Sequence, residues 1–333
     1  MIKSKICVAG NMIVDILYPV TGLPGPGELT SIEEGISRST GGAVCNVLGC
    51  LAAMDPGLPL MALGRVGADG EGDFILETLG KHKNVDLSMV KREGKSSFTA
   101  VMADSVSNER TFFHYRGANA LFCEEDIDWE KIDVEFLHIG YILLLDSLDE
   151  EDSKYGTRMA RLLSHARERG IKTSIDLVSE TGDRFKRLVP PALRYTDYCI
   201  INEIEAGQVT GIALRDEEGK LVEKKVLRAL EEIKKLGVSR WVVIHCPEGG
   251  YGIDSRGEPE ISAAFNLPAG YIKGKVGAGD AFCAGTLYAA SEGAGLREGL
   301  ELGNAAAAAS LSRPGSTEGM LPVEELRKLR EKF

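Results

Sequence analysis

Long apolar runs are missing from this chain: none approaches the ~18 residues that a bilayer-spanning helix needs. Aromatic residues make up only 6%, with two tryptophans, and the formal charge of −11 argues against the basic face a nucleic-acid partner requires. The seven cysteines form no C-x-x-C pair, and most sit in apolar stretches, where the thiol packs as a small hydrophobe. Their odd number suggests reduced thiols, and the opening MIKSKICVAGN enters a strand pattern without a signal-peptide pattern, so a cytoplasmic protein is expected. His82, His114, His138, His165 and His245 show no metal-ligand spacing, and His138 within LHIG reads as a core residue. No G-x-S-x-G elbow occurs. A P-loop is absent as well: Gly274-Lys275 is followed by Val276, and Gly94-Lys95-Ser96 lacks the earlier glycine. The dinucleotide fingerprint fails because Phe282 stands where its third glycine belongs.

What is present is ordinary globular material, 44% apolar and 27% charged, enough for a sizeable core. Its 333 residues allow one large α/β domain with an appendage. KICVA, LHIGYILLL (137–145), KTSIDLV (172–178), DYCIIN (197–202) and RWVVIHC (240–246) are near-continuous apolar runs, which predict buried strands. Helices are predicted at 152–169, at 183–189 before Pro190-Pro191, at 222–236, and at 279–292 and 296–312, where small residues point to burial. Such alternation predicts a parallel sheet covered on both faces, with ligands beyond the carboxyl ends of its strands. Asp15, Asp176, Asn202 to Glu205 and Glu248 to Gly250 fall there. Two β-rich stretches, Tyr18 to Thr40 and Phe98 to Tyr115, predict a separate small sheet, the second as a hairpin turning near Ser105–Glu109. The acidic clusters Glu124-Glu125-Asp126 and Asp149-Glu150-Glu151-Asp152 read as solvated helix starts, and Glu324–Lys332 as a charged, solvated terminal helix.

Three constellations carry chemistry. In GKVGAGDAFCAG (274–285), Gly277 and Gly279 allow successive N–H groups to point into one concavity, and the following helix adds its first-turn donors. Asp280 would set a carboxylate beside a bound anion, or would merely cap the helix. In GGAVCN (41–46), Gly41 and Gly42 open a helix and Asn46 lies one turn inside, so a polar ligand or a packed amide is expected near Asp15. Asp15 itself lies in the apolar run NMIVDIL and needs a partner. In Asn202-Glu203-Ile204-Glu205, the first and last residues share a helical face; the carboxylate would hold Mg²⁺ through water, or the stretch is a helix start.

The order of these motifs, with LGRVGADGEGDF (63–74) and NAAAAASLSRPGS (304–316), resembles the ribokinase-like (PfkB) family of carbohydrate kinases across nearly the whole chain. The resemblance implies an α/β three-layer sandwich with a mostly parallel central sheet, formed by one domain over 1–333, and a discontinuous β lid from 12–40 and 96–118. It implies ATP and Mg²⁺ as cofactors and a small sugar as substrate, with no nucleic-acid or membrane partner and a homodimer formed through the lid. It implies that Asp280 is the general base, that Gly277, Ala278 and Gly279 form the anion hole, and that Asp15, Gly41, Gly42 and Asn46 bind the sugar. Asn202, Glu205, Gly250 and Asn304 would serve the nucleotide, with Glu205 organising the metal. A nucleoside kinase of the same fold is an alternative, and so is a non-catalytic sugar sensor, though an intact Asp280 speaks against the sensor.

The chain departs from the family in three places. Gly274-Lys275-Val276 replaces the frequent D-T-x or N-T-x. His245-Cys246-Pro247-Glu248-Gly249-Gly250 keeps only the final glycine of T-x-G-x-x-G. Asp176-Leu177-Val178-Ser179-Glu180 lacks the arginine of D-P-N-x-R.

Overall fold

Strands that are apolar on both faces need helices above and below them, and the chain supplies them in turn. The computed structural model describes residues 4–107, 109–179 and 182–333. The first strands are β1 (Ser4–Gly10), β2 (Ile13–Val20), β3 (Ser37–Gly41), β4 (Leu60–Val66), β5 (Val85–Arg92), β6 (Ser97–Asp104), β7 (Arg110–Tyr115) and β8 (Val134–Ile142). There follow β9 (Glu151–Asp152), β10 (Gly156–Thr157), β11 (Lys172–Leu177), β12 (Tyr198–Asn202), β13 (Trp241–Cys246), β14 (Gly249–Ile253) and β15 (Pro259–Ala263). The helices are α1 (Gly42–Met54), α2 (Gly70–Leu79), α3 (Asp146–Asp149), α4 (Arg158–Glu168) and α5 (Phe185–Leu193). The later ones are α6 (Glu203–Thr210), α7 (Glu223–Lys235), α8 (Ala278–Ser291), α9 (Leu296–Ser310) and α10 (Val323–Arg327).

Nine strands form the central sheet in the order β15-β14-β13-β12-β11-β8-β1-β4-β5, parallel except for the two antiparallel pairings that add β14 and β15. One core cluster joins α1, α2, α8 and α9 to one face of the sheet, and a second joins α4 to α7 to the other. The result is the three-layer α/β architecture implied by the sequence. A smaller sheet, ordered β3-β2-β6-β7, draws on the two β-rich stretches, with β2 starting ahead of the first at Ile13, and β6 and β7 form the antiparallel hairpin. Among the described residues, no helix is long and apolar enough to cross a membrane.

Several local expectations are corrected. The helix predicted over 152–169 begins only at Arg158. Residues 151–157 form the β9–β10 hairpin, and the Thr157 side chain caps α4 by accepting from the Ala160 N–H. Pro190 and Pro191 do not stop α5, which runs on to Leu193. Each proline removes one helical N–H, and the burial of Phe185, Leu188, Val189, Ala192 and Leu193 outweighs the loss. The acidic clusters are not simply solvated. Asp126 is buried against Arg65 and Lys91, Glu124 against Arg161 and His165, and Asp149 against Arg184. The terminal segment is likewise more than a charged surface helix, since Val323, Leu326 and Leu329 pack into the core. His138 is fully buried with its Nδ1 2.9 Å from Ser174 Oγ, as a core histidine should be.

The pairing of α8 with α9 fixes the site. A Cβ at Gly285 would lie 2.6 Å from the Leu302 carbonyl oxygen, so the two backbones meet where no side chain fits. Gly285→Ala is therefore expected to cost about 1–3 kcal/mol by overpacking, read as a lower denaturant midpoint with an unchanged slope. A midpoint equal to that of wild type contradicts this account of the helix pair.

Candidate active site

Gly277 sits at φ +78°, in the left-handed region, and turns the chain directly into α8. A Cβ there would collide with Ser316, so the loop closes tightly over the start of the helix. The first-turn N–H groups have no carbonyl within the helix to bond, and the positive end of the helix dipole lies at the same point. Asp280, in that first turn, is only 7% exposed. Asn46 Nδ2 donates to its Oδ2 at 2.8 Å, and Tyr141 Oη donates to its Oδ1 at 2.7 Å. Burial raises the Asp280 pKa, and the bonds from Tyr141 and Asn46 oppose that rise. Ser316 Oγ donates to Asn46 Oδ1 at 2.8 Å and so fixes the orientation of the amide.

Two cavities flank the loop and share His245 and Gly279. The larger, of about 690 Å³, lies beside β13 and α9, with an apolar wall that includes Phe265, Leu267, Ile272 and Phe282. The smaller, of about 310 Å³, is lined by Tyr141, Asp176, Asn202, Glu205, Gly277 and Asp280, among others. Among the described residues, Lys275 is the one lysine or arginine lining either cavity. Burial keeps His245 neutral by pushing its pKa down to about 4, and its ring stacks on Phe282 at 5.0 Å.

The smaller cavity concentrates negative charge. Asp176 is pushed well above the usual carboxylate range by burial, helped by the charges of Glu205 and Asp280. Glu205 rises from 4.5 to about 7, chiefly through burial. Asn202 caps α6, its Oδ1 accepting from the Ile204 and Glu205 N–H groups at 2.9 Å. Its backbone N–H and Nδ2 donate to Glu205 at 3.0 and 2.8 Å, and Ser179 Oγ donates to the same carboxylate at 2.9 Å. Asn202 and Glu205 thus form a capping box, the helix start that the sequence offered, and both also line the smaller cavity.

The cluster at 41–46 and Asp15 meet Asp280 rather than the smaller cavity, Asn46 by its hydrogen bond and Asp15 by its charge. Gly41 leaves space for Asp15, since a Cβ there would lie 2.3 Å from Asp15 Oδ2. Burial pushes Asp15 up to about 6, opposed by a bond to Thr99 and assisted by the charge of Asp280. Gly42 opens α1 against Asn11, whose Oδ1 would be 2.7 Å from a Cβ at that position. Asn11 is fully buried, and neither its Nδ2 nor its Oδ1 has a hydrogen-bond partner among the described residues. Asn304 lines the larger cavity while its Nδ2 donates to the Ser262 carbonyl at 2.8 Å.

Of the residues singled out from the sequence, Asp15, Gly41, Gly42, Asn46, Glu248 and Gly250 line neither cavity. Gly250 lies on β14 and leaves room for the Phe282 ring, which a Cβ would approach to 2.8 Å. Glu248 turns away to Arg215 at 2.7 Å. Glu180, the last residue of the third departure, falls outside the described residues. Sequence reasoning missed Tyr141, Asn11 and Ser316. Tyr141 is on the carboxyl-end half of β8, so the strand-end rule could have found it. Asn11 directly follows the carboxyl end of β1, so the same rule could have found it, whereas Ser316 had no such signal.

Comparison with known proteins agrees with this fold. The sequence profile of the pfkB family carbohydrate kinases matches residues 3–323. A ribokinase of Arabidopsis thaliana is 25% identical over 324 residues, covering 97% of this chain and 80% of that protein. The structure of Arabidopsis thaliana ribokinase complexed with ribose and ATP superimposes with a TM-score of 0.79 at 21% identity, over 98% of this chain and 99% of that one. A nucleoside kinase of Methanocaldococcus jannaschii superimposes with a TM-score of 0.73 at 18% identity, over 99% of both chains. The chain belongs to the pfkB family of carbohydrate kinases. It is a phosphotransferase, a sugar or nucleoside kinase of ribokinase-like fold.

The raised pKa of Glu205 has a measurable consequence. The folded state holds a proton that the unfolded chain has already released, so its contribution to stability is present below about pH 4.5 and is lost as pH rises through about 7. The Tm of Glu205→Gln minus that of wild type should therefore increase between about pH 5 and about pH 8. A difference that stays constant with pH contradicts the assignment.

Proposed function

We propose that this kinase transfers the γ-phosphoryl group of ATP to a primary hydroxyl of a sugar or sugar-like polyol. The observation that carries the reading is Asp280: a buried carboxylate in the first turn of α8, aimed by Asn46 and Tyr141, beside an anion-accepting loop. Asp280 takes the proton from the attacking hydroxyl. Its raised pKa makes it a better base than an exposed aspartate. The N–H groups of Gly277, Ala278 and Gly279 face the transferring phosphoryl group and stabilise its charge, so the protein contributes positioning and electrostatics. Asp15, the Gly41-Gly42 turn and Asn46 bind the remaining sugar hydroxyls. The unpartnered amide of Asn11 adds a donor and an acceptor, and pairing it with a hydroxyl removes a desolvation cost of about 1–3 kcal/mol.

The nucleotide occupies the larger cavity, its base between apolar walls beside Asn304, its phosphates directed past Lys275 towards Gly279. Gly250 serves this site indirectly by seating Phe282. Mg²⁺ fits the smaller cavity on chemical grounds: Asp280 raises the proton affinity of both Asp176 and Glu205, and oxygen donors suit a hard cation that keeps most of its water. Glu205, oriented by Asn202 and Ser179, would hold the ion through water, and the ion would supply positive charge to the phosphates. The small sheet closes over the sugar as a lid, and the exposed Phe112, Phe113 and Tyr115 on its edge strand β7 suit a homodimer through that lid. We assign the protein to the cytoplasm.

Asp280→Asn should lower kcat by at least about 10²-fold while the protein stays folded and still binds ATP. Unchanged turnover in that variant removes Asp280 from the role of base. Turnover by wild type on nucleosides alone, with none on free sugars, overturns the choice of a sugar acceptor.

A further inference from the structure

The segment that joins β15 to the anion loop, residues 264–276, is irregular, yet it supplies much of the larger cavity's wall. Phe265, Leu267, Ile272 and Lys275 all belong to it. Backbone bonds anchor it at two points: the Ala264 N–H donates to Glu248 O at 2.9 Å, and the Lys273 N–H donates to Leu311 O at 2.8 Å. Between those anchors its shape rests on side chains from the charged segment after α10. Arg330 Nη2 donates to Ser262 Oγ at 2.6 Å and to the Ala263 carbonyl at 3.1 Å. The same guanidinium lies over the Phe265 ring, 5.0 Å from its centroid. Phe333 meets Tyr271 edge to face at 5.2 Å. Leu329 is buried in the core, so the turn that carries Arg330 is itself held firmly.

We propose that Arg330 is a positioning residue for the nucleotide: it holds Phe265 and the end of β15 so that the base slot is formed before the nucleotide arrives. The proposal rests on reading the larger cavity as the nucleotide site. Asn304 contacts the same Ser262 and Ala263 from the cavity side, so Arg330 and Asn304 clamp one short stretch of backbone between them. A guanidinium is suited to this because it bonds in its plane and stacks by its face at once, which neither lysine nor methionine can do. Loss of the clamp leaves the wall free to sample other shapes, and the nucleotide then has to order it on binding.

The test compares wild type with Arg330→Ala, Arg330→Lys and Arg330→Met. ADP affinity is measured by calorimetric titration, KM for nucleotide and for the phosphoryl acceptor by turnover, and Tm by thermal melting. The expected result for Arg330→Ala is ADP affinity and nucleotide KM weakened about tenfold, the loss of roughly one charge-assisted hydrogen bond plus a cation–π contact, with acceptor KM and kcat within about twofold of wild type. Arg330→Lys should recover part of the affinity by restoring the charged donor, and Arg330→Met should recover less. Nucleotide affinity within about twofold of wild type in Arg330→Ala overturns the proposal alone. So does an equal loss in both KM values and kcat together with a lowered Tm, which marks a purely structural residue. A wild-type protein that binds neither ADP nor ATP overturns the reading of the cavity, and the proposal falls with it.

Discussion

A carboxylate taken out of water at the start of a buried helix is the constraint around which this molecule is arranged. Asp280 cannot rotate towards solvent, and its two oxygens are claimed by donors from α1 and β8. The helix that carries it cannot shift either, because Gly285 brings α8 against the backbone of α9. The position of the carboxylate is therefore a property of the core. Phosphoryl transfer offers little covalent chemistry for a protein to perform, so rigid placement of a carboxylate and of N–H donors is what such a core can contribute.

The electrostatic layout follows from the same helix. Its amino end, positive by virtue of first-turn N–H groups that no carbonyl of the helix accepts, stands between an apolar cavity and an acidic one. Three buried carboxylates on the acidic side hold their protons unusually tightly, a cost the fold carries. On the apolar side, His245 is neutral and adds no charge, which leaves Lys275 as the local cation among the described residues. The residues that replace the family's usual D-T-x thus include the one lysine or arginine that, among the described residues, lines either cavity.

The fold was largely legible because buried strands and buried helices announce themselves by composition. KICVA, DYCIIN and RWVVIHC could scarcely be anything else, and the glycine pattern of GAGD marked the loop. What stayed hidden depends on tertiary partners. Two adjacent prolines look like a helix stop until the buried face of α5 is counted. Acidic runs look solvated until Arg65, Lys91 and Arg161 arrive from distant strands and helices. Tyr141 and Ser316 join the site through bonds spanning more than a hundred residues, and no local spacing encodes such a contact. The terminal segment misled for the same reason: its Arg330 faces a ring, a hydroxyl and a carbonyl group that only the folded chain brings within reach.

The most direct measurement is phosphorus NMR of the wild-type protein incubated with ATP, Mg²⁺ and, in turn, members of a panel of hexoses, pentoses, sugar acids and nucleosides. The account predicts a new phosphomonoester resonance, coupled to the protons of a hydroxymethyl group and growing one for one with ADP, for at least one sugar. ATP left intact with every member of the panel, or phosphomonoester formed from nucleosides alone, contradicts it.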